Sequence, residues 1–226
     1  MYMMYKFYLN LDKSLERRKK FDDTWTRFKA VDGQELISDE PILKRMVSMW
    51  NITDKEHRGK CGCFQTHYNM LCHIRNNKLN RTIIVEDDAV QVNEIDDEIL
   101  AECKNFTYLG GYFAHTRMSH GPLVESEFPG SYEGVNELDK QEMRILMTLA
   151  YYIPHWTIAR DIIDYLDSKV RIKSIDIMLF DIVKVPLDYV YPACFIDEDC
   201  ESTISDSGCQ PEWKTKHSDM YYHFSK

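Results

Sequence analysis

Residues 82–88 read Thr-Ile-Ile-Val-Glu-Asp-Asp (TIIVEDD). Four consecutive β-formers without polar alternation leave no face for water, so Thr82–Val85 is expected to be a central strand covered on both sides. Glu86, Asp87 and Asp88 follow at once. In open α/β sheets, ligands bind in the crevice beyond the carboxyl ends of the strands. Three carboxylates at that spot repel one another, and their charged forms are costly unless they share a cation. An all-oxygen site for Mg²⁺ or Mn²⁺ resolves the cost, and such ions complete their shells with substrate phosphates. The competing reading is a solvated acidic turn. Glu94, Asp96, Asp97, Glu98 and Glu102 follow, with no Lys or Arg between Thr82 and Cys103.

Outward from this strand, elements of two periods alternate. Tyr5–Leu11 reads as a buried first strand, a helix opens at Ser14 and runs to about Asp23, and Arg27–Val31 reads as a second strand ended by the turn dipeptide Asp32-Gly33. Residues 34–58 look helical but irregular. Gly59–Cys63 reads as a loop before a helix from about Phe64 to Asn76. Phe106–Phe113, Ala150–Pro154 and Tyr189–Phe195 are strand candidates; Ile158–Leu166 and Asp176–Phe180 are helix candidates. Glu94–Glu102 reads as a solvated helix face. Strands alternating with helices predict an α/β domain with a mostly parallel central sheet flanked by helices.

The chain has 226 residues, is 44% hydrophobic and carries a net charge of −9. That length supports a full core, and the composition is that of a globular protein. The charge is uneven: residues 1–60 hold 13 basic and 10 acidic side chains, the remainder 15 and 27. An acidic surface argues against unaided nucleic-acid binding and against adhesion to anionic membranes. Lys6 interrupts the apolar start and no small-residue cleavage site follows, so Met1–Leu9 does not read as a signal peptide. The longest run free of Asp, Glu, Lys and Arg, Ile145–Ala159, is too short and too broken by Pro154 and His155 to span a bilayer. Seven cysteines without a secretory signal read as reduced thiols in a cytoplasmic protein. Cys61-Gly62-Cys63 has no matching second pair and does not read as a zinc site.

Six further blocks accompany the carboxylates: YLNLDKSLERR (8–18), FKAVDGQEL (28–36), GKCGCFQTHYNML (59–71), AYYIPHWTIARDIIDYL (150–166), SIDIMLFD (174–181) and YPACFIDEDCESTIS (191–205). With IIVEDDAVQV (83–92), their order and spacing resemble glycosyltransferase family 25, which holds bacterial lipooligosaccharide transferases and collagen β-galactosyltransferases. Short versions of such domains also occur as modules of multidomain glycan-building enzymes in large DNA viruses. The resemblance implies a GT-A fold in one domain over residues 1–226. Its nucleotide-sugar and metal lobe would cover about 1–105, its acceptor lobe about 106–206 and a tail 207–226. It implies inverting, Mn²⁺- or Mg²⁺-dependent transfer of a hexosyl or deoxyhexosyl group from a nucleotide diphosphate donor, UDP-sugar foremost, to a glycan hydroxyl. Donor binding without turnover, and a metal-dependent phosphohydrolase, are the alternative functions.

The resemblance also implies roles. Glu86-Asp87-Asp88 stands as the family's variant of the Asp-x-Asp motif, with Asp88 on the metal and Glu86 on the metal through water or on the donor's ribose. Leu9, Asn10 and Leu11 line one wall of the nucleobase pocket and Ala30, Val31, Asp32 and Gly33 the other. Gly62 permits close approach to the donor, and Arg17 or Arg18 approaches the phosphates, an exposed helix charge being the other reading of Arg18. An acceptor hydroxyl needs a general base opposite the leaving group. Asp176, at the start of a helix, is the first candidate and Asp181 the second; helix capping is the alternative role for Asp176. His67 reads as a satisfied core histidine, Trp156 as core or as an acceptor-stacking ring, and His217 as a candidate late metal ligand.

Overall fold

The computed structural model describes residues 3–47, 53–115, 133–141, 143–182 and 185–197. His217, Cys200 and Cys209 lie outside them. The described chain is a mixed α/β structure with a central sheet flanked by helices, as expected of nucleotide-sugar transferases. Strands β1 (Tyr5–Asn10), β2 (Thr26–Lys29), β3 (Thr82–Glu86), β4 (Ala89–Gln91), β5 (Phe106–His115), β6 (Gly134–Glu137), β7 (Met143–Ile153), β8 (Leu187–Tyr191) and β9 (Phe195–Asp197) form one sheet. Its main path is β2-β1-β3-β7-β5-β8-β6, with β9 joining β5 to β4.

The expectation of a mostly parallel sheet needs correction. β1 runs parallel to β2 and β3, and β5 parallel to β8 and β9. β7, however, is inserted antiparallel between β3 and β5, β6 lies antiparallel to β8, and β4 antiparallel to β9. A fully buried strand is apolar on both faces whichever way it runs, so its residues carry no mark of direction.

Thr82, Ile83, Ile84 and Val85 are each fully buried, and alternate side chains enter two different cores. Phe7, Ile84, Tyr151 and Ile153 face the helices α2 (Pro41–Arg45), α3 (Asp54–Asn77), α5 (Trp156–Asp167) and α6 (Ile175–Phe180). Tyr8, Ile83, Val85 and Tyr152 face Leu100 of α4 (Asp97–Glu102) and Phe195.

Three helix expectations shift. The first helix is a single turn, α1 (Leu15–Arg18), because the chain turns at Asp22, whose carboxylate accepts from the Thr24 N–H, and brings Phe21 flat onto Tyr8 at 4.2 Å. The irregular 34–58 stretch resolves into a 3₁₀ turn (Gly33–Glu35), α2 and the start of α3. Gly59–Cys63 is not a loop but the interior of α3. The Thr53 hydroxyl accepts from the Glu56 N–H while the Glu56 carboxylate accepts from the Thr53 N–H, a reciprocal cap that starts the helix ahead of both glycines. The late strand splits into β8 and β9 around Pro192, which has no N–H for the ladder.

Gly62 is in α3 for contact rather than for flexibility. A Cβ there would stand 2.6 Å from Gly33 N and 2.7 Å from Val31 O, both backbone atoms. Gly62→Ala is therefore expected to cost about 2–3 kcal/mol, read as a lowered midpoint of thermal unfolding. An unchanged midpoint would show that α3 does not press on residues 31–33.

Candidate functional site

Register brings the ends of β1 and β3 side by side, with Leu9 opposite Glu86. Beyond them opens a cleft. Leu9, Leu11 and Arg17 line it from the first strand and helix; Ala30, Val31, Asp32 and Gly33 from the segment after β2; and Glu86, Asp87 and Asp88 from the end of β3. Lys13, Cys63, Thr66 and His67 complete the wall. The residues expected to hold a donor thus converge, with two exceptions. Gly62 does not face the cleft but seats α3 against its wall, where Thr66 Oγ1 accepts from the Val31 N–H at 2.8 Å. Asn10 is buried behind the carboxylates. It donates to Asp87 Oδ2 at 2.7 Å and to Ser14 O, and it accepts from Arg18 and Arg27.

The three carboxylates occupy three different environments. Asp87 is held on both oxygens, by Asn10 and by Arg17 Nη1 at 2.7 Å. Glu86 Oε1 accepts from the Thr148 hydroxyl at 2.6 Å and lies 3.1 Å from His67 Nε2. Burial opposes the charge on Glu86, but the His67 and Thr148 hydrogen bonds and Arg17 outweigh it and hold the carboxyl below its usual range. Asp88 has no such support. Its Oδ1 is buried and lacks a hydrogen-bond partner, and Arg17 stands 3.7 Å from Oδ2. Burial, with the adjacent Glu86 charge, pushes Asp88 up to about 6. A carboxylate left in this state is a place for a cation.

His67 is both buried and part of the wall. Its Nδ1 lies 2.9 Å from the Tyr151 hydroxyl, and its Nε2 faces Glu86 and Thr148. Thr148 and Tyr151 lie in the apolar run 145–159, and nothing local in the sequence sets them apart from core. Cys63, one helical turn before His67, is pushed well above the usual thiol range by burial and by the charges of Glu86, Asp176 and Asp88.

Asp176 is in the first turn of α6. Its Oδ1 accepts from the Ile177 N–H at 2.9 Å, and its Oδ2 lies 3.4 Å from Met147 N. Met147 adopts a left-handed φ of 71°, where β7 slips register against Gly110–Tyr112 of β5. A non-glycine residue in that region is strained, and such strain gathers at functional sites. The bulge seats Asp176 one residue from Thr148, near enough for its charge to act on Cys63. Asp181 is placed differently: it ends α6 and pairs with Lys173 at 3.2 Å. Trp156 follows Ile153, which pairs with Thr82 at the start of β3, so it stands at the opposite end of the sheet from the carboxylates.

Among the described residues no helix is long and apolar enough to cross a membrane. Comparison with known proteins gives two findings. The family model described as "Glycosyltransferase family 25 (LPS biosynthesis protein)" matches residues 3–179. A curated Drosophila melanogaster protein, "Glycosyltransferase 25 family member", is 32% identical over 94 residues, covering 36% of this chain. The matched part is 15% of that relative's length.

Proposed function

The chain belongs to glycosyltransferase family 25, and from that premise we propose that it transfers a sugar, with inversion, from a nucleotide diphosphate donor to a glycan hydroxyl. The donor is read as a UDP-sugar and the sugar as a hexose or deoxyhexose. The observation that carries this is Asp88: a buried carboxylate oxygen without a partner, at the mouth of a cleft that also holds Arg17.

The donor atoms suit a hard divalent ion, Mn²⁺ or Mg²⁺. Asp88 would hold it, with Glu86 beside it adding charge. When bound, the ion supplies Lewis-acid stabilisation of the departing diphosphate. The remaining work falls to the chain. Arg17 leaves Asp87 for the phosphate oxygens, exchanging one anion for another. Leu9, Leu11, Ala30 and Val31 offer an apolar slot for the base, and Asp32 stands where ribose hydroxyls can donate to it. Asp176, held beside Met147 and close enough for its charge to act on Cys63, takes the proton from the acceptor hydroxyl as it attacks the anomeric carbon.

A thermal-denaturation panel of UDP-, GDP- and dTDP-sugars, with and without Mn²⁺, tests the reading. A donor at a hundredfold excess over its Kd adds ~2.7 kcal/mol, a rise of roughly 5–10 °C for a chain of this size. That rise is expected to require the metal. No shift with any nucleoside diphosphate would sink the proposal. Release of phosphate from simple esters without an acceptor would replace it with a phosphohydrolase.

A further inference from the structure

Cys63 and His67 sit one turn apart on α3, and Glu86 meets them from the end of β3. One ligand atom from each lies within 4.8 Å of the other two, and among the described residues this is where a thiol, an imidazole and a carboxylate converge. We propose that Cys63 Sγ, His67 Nε2 and Glu86 chelate a borderline-soft divalent cation of the zinc type, at a site chemically separate from the hard-ion position at Asp88.

Four features carry it. The donor set is thiolate, imidazole and carboxylate, which selects zinc over magnesium or manganese. The His67–Glu86 edge of 3.1 Å is already close to the roughly 3.3 Å that two ligands span on a tetrahedral zinc. The thiol lies within 4.8 Å of both other ligand atoms, against the roughly 3.6 Å that sulfur and nitrogen span on such an ion. His67 also has the outer partner that metal-bound imidazoles use: with Nε2 on the ion, Nδ1–H donates to the Tyr151 oxygen at 2.9 Å, fixing the tautomer and the ring plane. Lastly, the charges of Glu86, Asp88 and Asp176 all act on the Cys63 sulfur, so a dication is drawn there.

Binding replaces the Cys63 S–H bond by S–Zn and releases one proton to solvent. Thr148 keeps its hydrogen bond to Glu86, and because Cys63, His67 and Glu86 all line the cleft, water from it would complete the coordination. Because Glu86 serves both positions, zinc in this site opposes the transfer reaction. The site itself stands without that reaction.

Cobalt(II) is the spectroscopic probe, added to the purified full chain. The expected result is one Co²⁺ per chain with a sulfur-to-cobalt charge-transfer band and intense tetrahedral d–d bands. Zn²⁺ displaces them, Cys63→Ser abolishes the charge-transfer band, and Asp88→Asn retains it. A second measurement needs no variant. Zn²⁺ is expected to slow alkylation of Cys63, read by peptide mass, while Mg²⁺ at equal concentration does not. Absence of the charge-transfer band, its survival in Cys63→Ser, its loss in Asp88→Asn, or equal alkylation rates with Zn²⁺ and Mg²⁺ overturns the assignment. Each of those results leaves the Mn²⁺-dependent nucleotide-sugar shift to be judged on its own, and a failed nucleotide panel leaves the cobalt spectrum intact.

Discussion

Asp176→Asn is expected to lower the rate of sugar transfer by about 10²–10⁴-fold, the contribution of a well-placed general base, while donor binding stays as it was. The separation is possible because of how the side chain is held. Its two oxygens sit near Ile177 N and Met147 N, and the amide oxygen of Asn can still accept one of those N–H groups. One of the two contacts is therefore retained. What is lost is the ability to take a proton. The measurement is kcat for transfer alongside the donor-induced thermal shift; a fallen kcat with an intact shift is the signature. Unchanged transfer would move the base elsewhere. Asp181 is a poor refuge for it, since Lys173 already occupies that carboxylate, and Asp181→Asn is expected to leave transfer nearly unchanged. If the wild-type chain binds donor with metal and never transfers, the protein is a recognition module and Asp176 serves only to hold the first turn of α6 against Met147.

Asp88→Asn is expected to act in two directions at once. With no metal, the variant should be more stable than wild type at pH 7. Folding raises the Asp88 carboxyl from 3.8 to about 6, so between those values the native chain binds more protons than the unfolded one. Stability then falls as pH rises through that window, and the deficit persists above it. A two-unit shift corresponds to about 3 kcal/mol; with about a quarter of the side chain open to solvent, a gain on the order of 2 kcal/mol is the reasonable figure. It should be present at pH 7 and vanish below about pH 3, where Asp88 is mostly protonated in both states. At the same time the Mn²⁺-dependent donor shift should disappear. Melting curves at the two pH values, with and without Mn²⁺ and nucleotide sugar, decide it. An Asn variant that keeps the metal-dependent shift would place the ion elsewhere. One that gains no stability at pH 7 would mean that Asp88 is already compensated.

The two carboxylates differ from each other for a reason that local chemistry supplies only in part. Glu86 is steadied by His67 and Thr148, residues 19 and 62 positions away; Asp88 is steadied by nothing comparable. On the proposed reading, the cost at Asp88 is the counterpart of cation binding there, since a residue optimised without a cation would have been given a donor.

Much of this was readable from residue order. Thr82–Val85 admitted only a doubly covered strand, because four apolar or β-branched residues in a row have no wet face. The carboxylates after it were legible because they close that strand, where ligands of open sheets bind, and the Leu9–Leu11 and Ala30–Gly33 walls followed from the family resemblance. The Gly59–Cys63 stretch misled. Glycine is a poor helix former by itself, and the capping pair Thr53–Glu56 that overrides it begins six residues upstream of Gly59. The 14–23 helix was overcounted because its charge pattern is helical, whereas the stacking of Phe21 on Tyr8 is a tertiary contact.

Sequence alone therefore determined the family resemblance, the α/β class, the buried strand and the place of the acidic site, since each rests on periodicity, on residues close in the chain or on the order of short blocks along it. Only the tertiary structure decided that β7 runs antiparallel between β3 and β5, that Asn10 braces Asp87 from behind, and that His67, Thr148 and Tyr151 gather around Glu86. Strand direction and long-range hydrogen bonds are chosen by packing across the whole sheet. A buried Thr or Tyr looks the same in the sequence whether it faces a carboxylate or a wall of leucines.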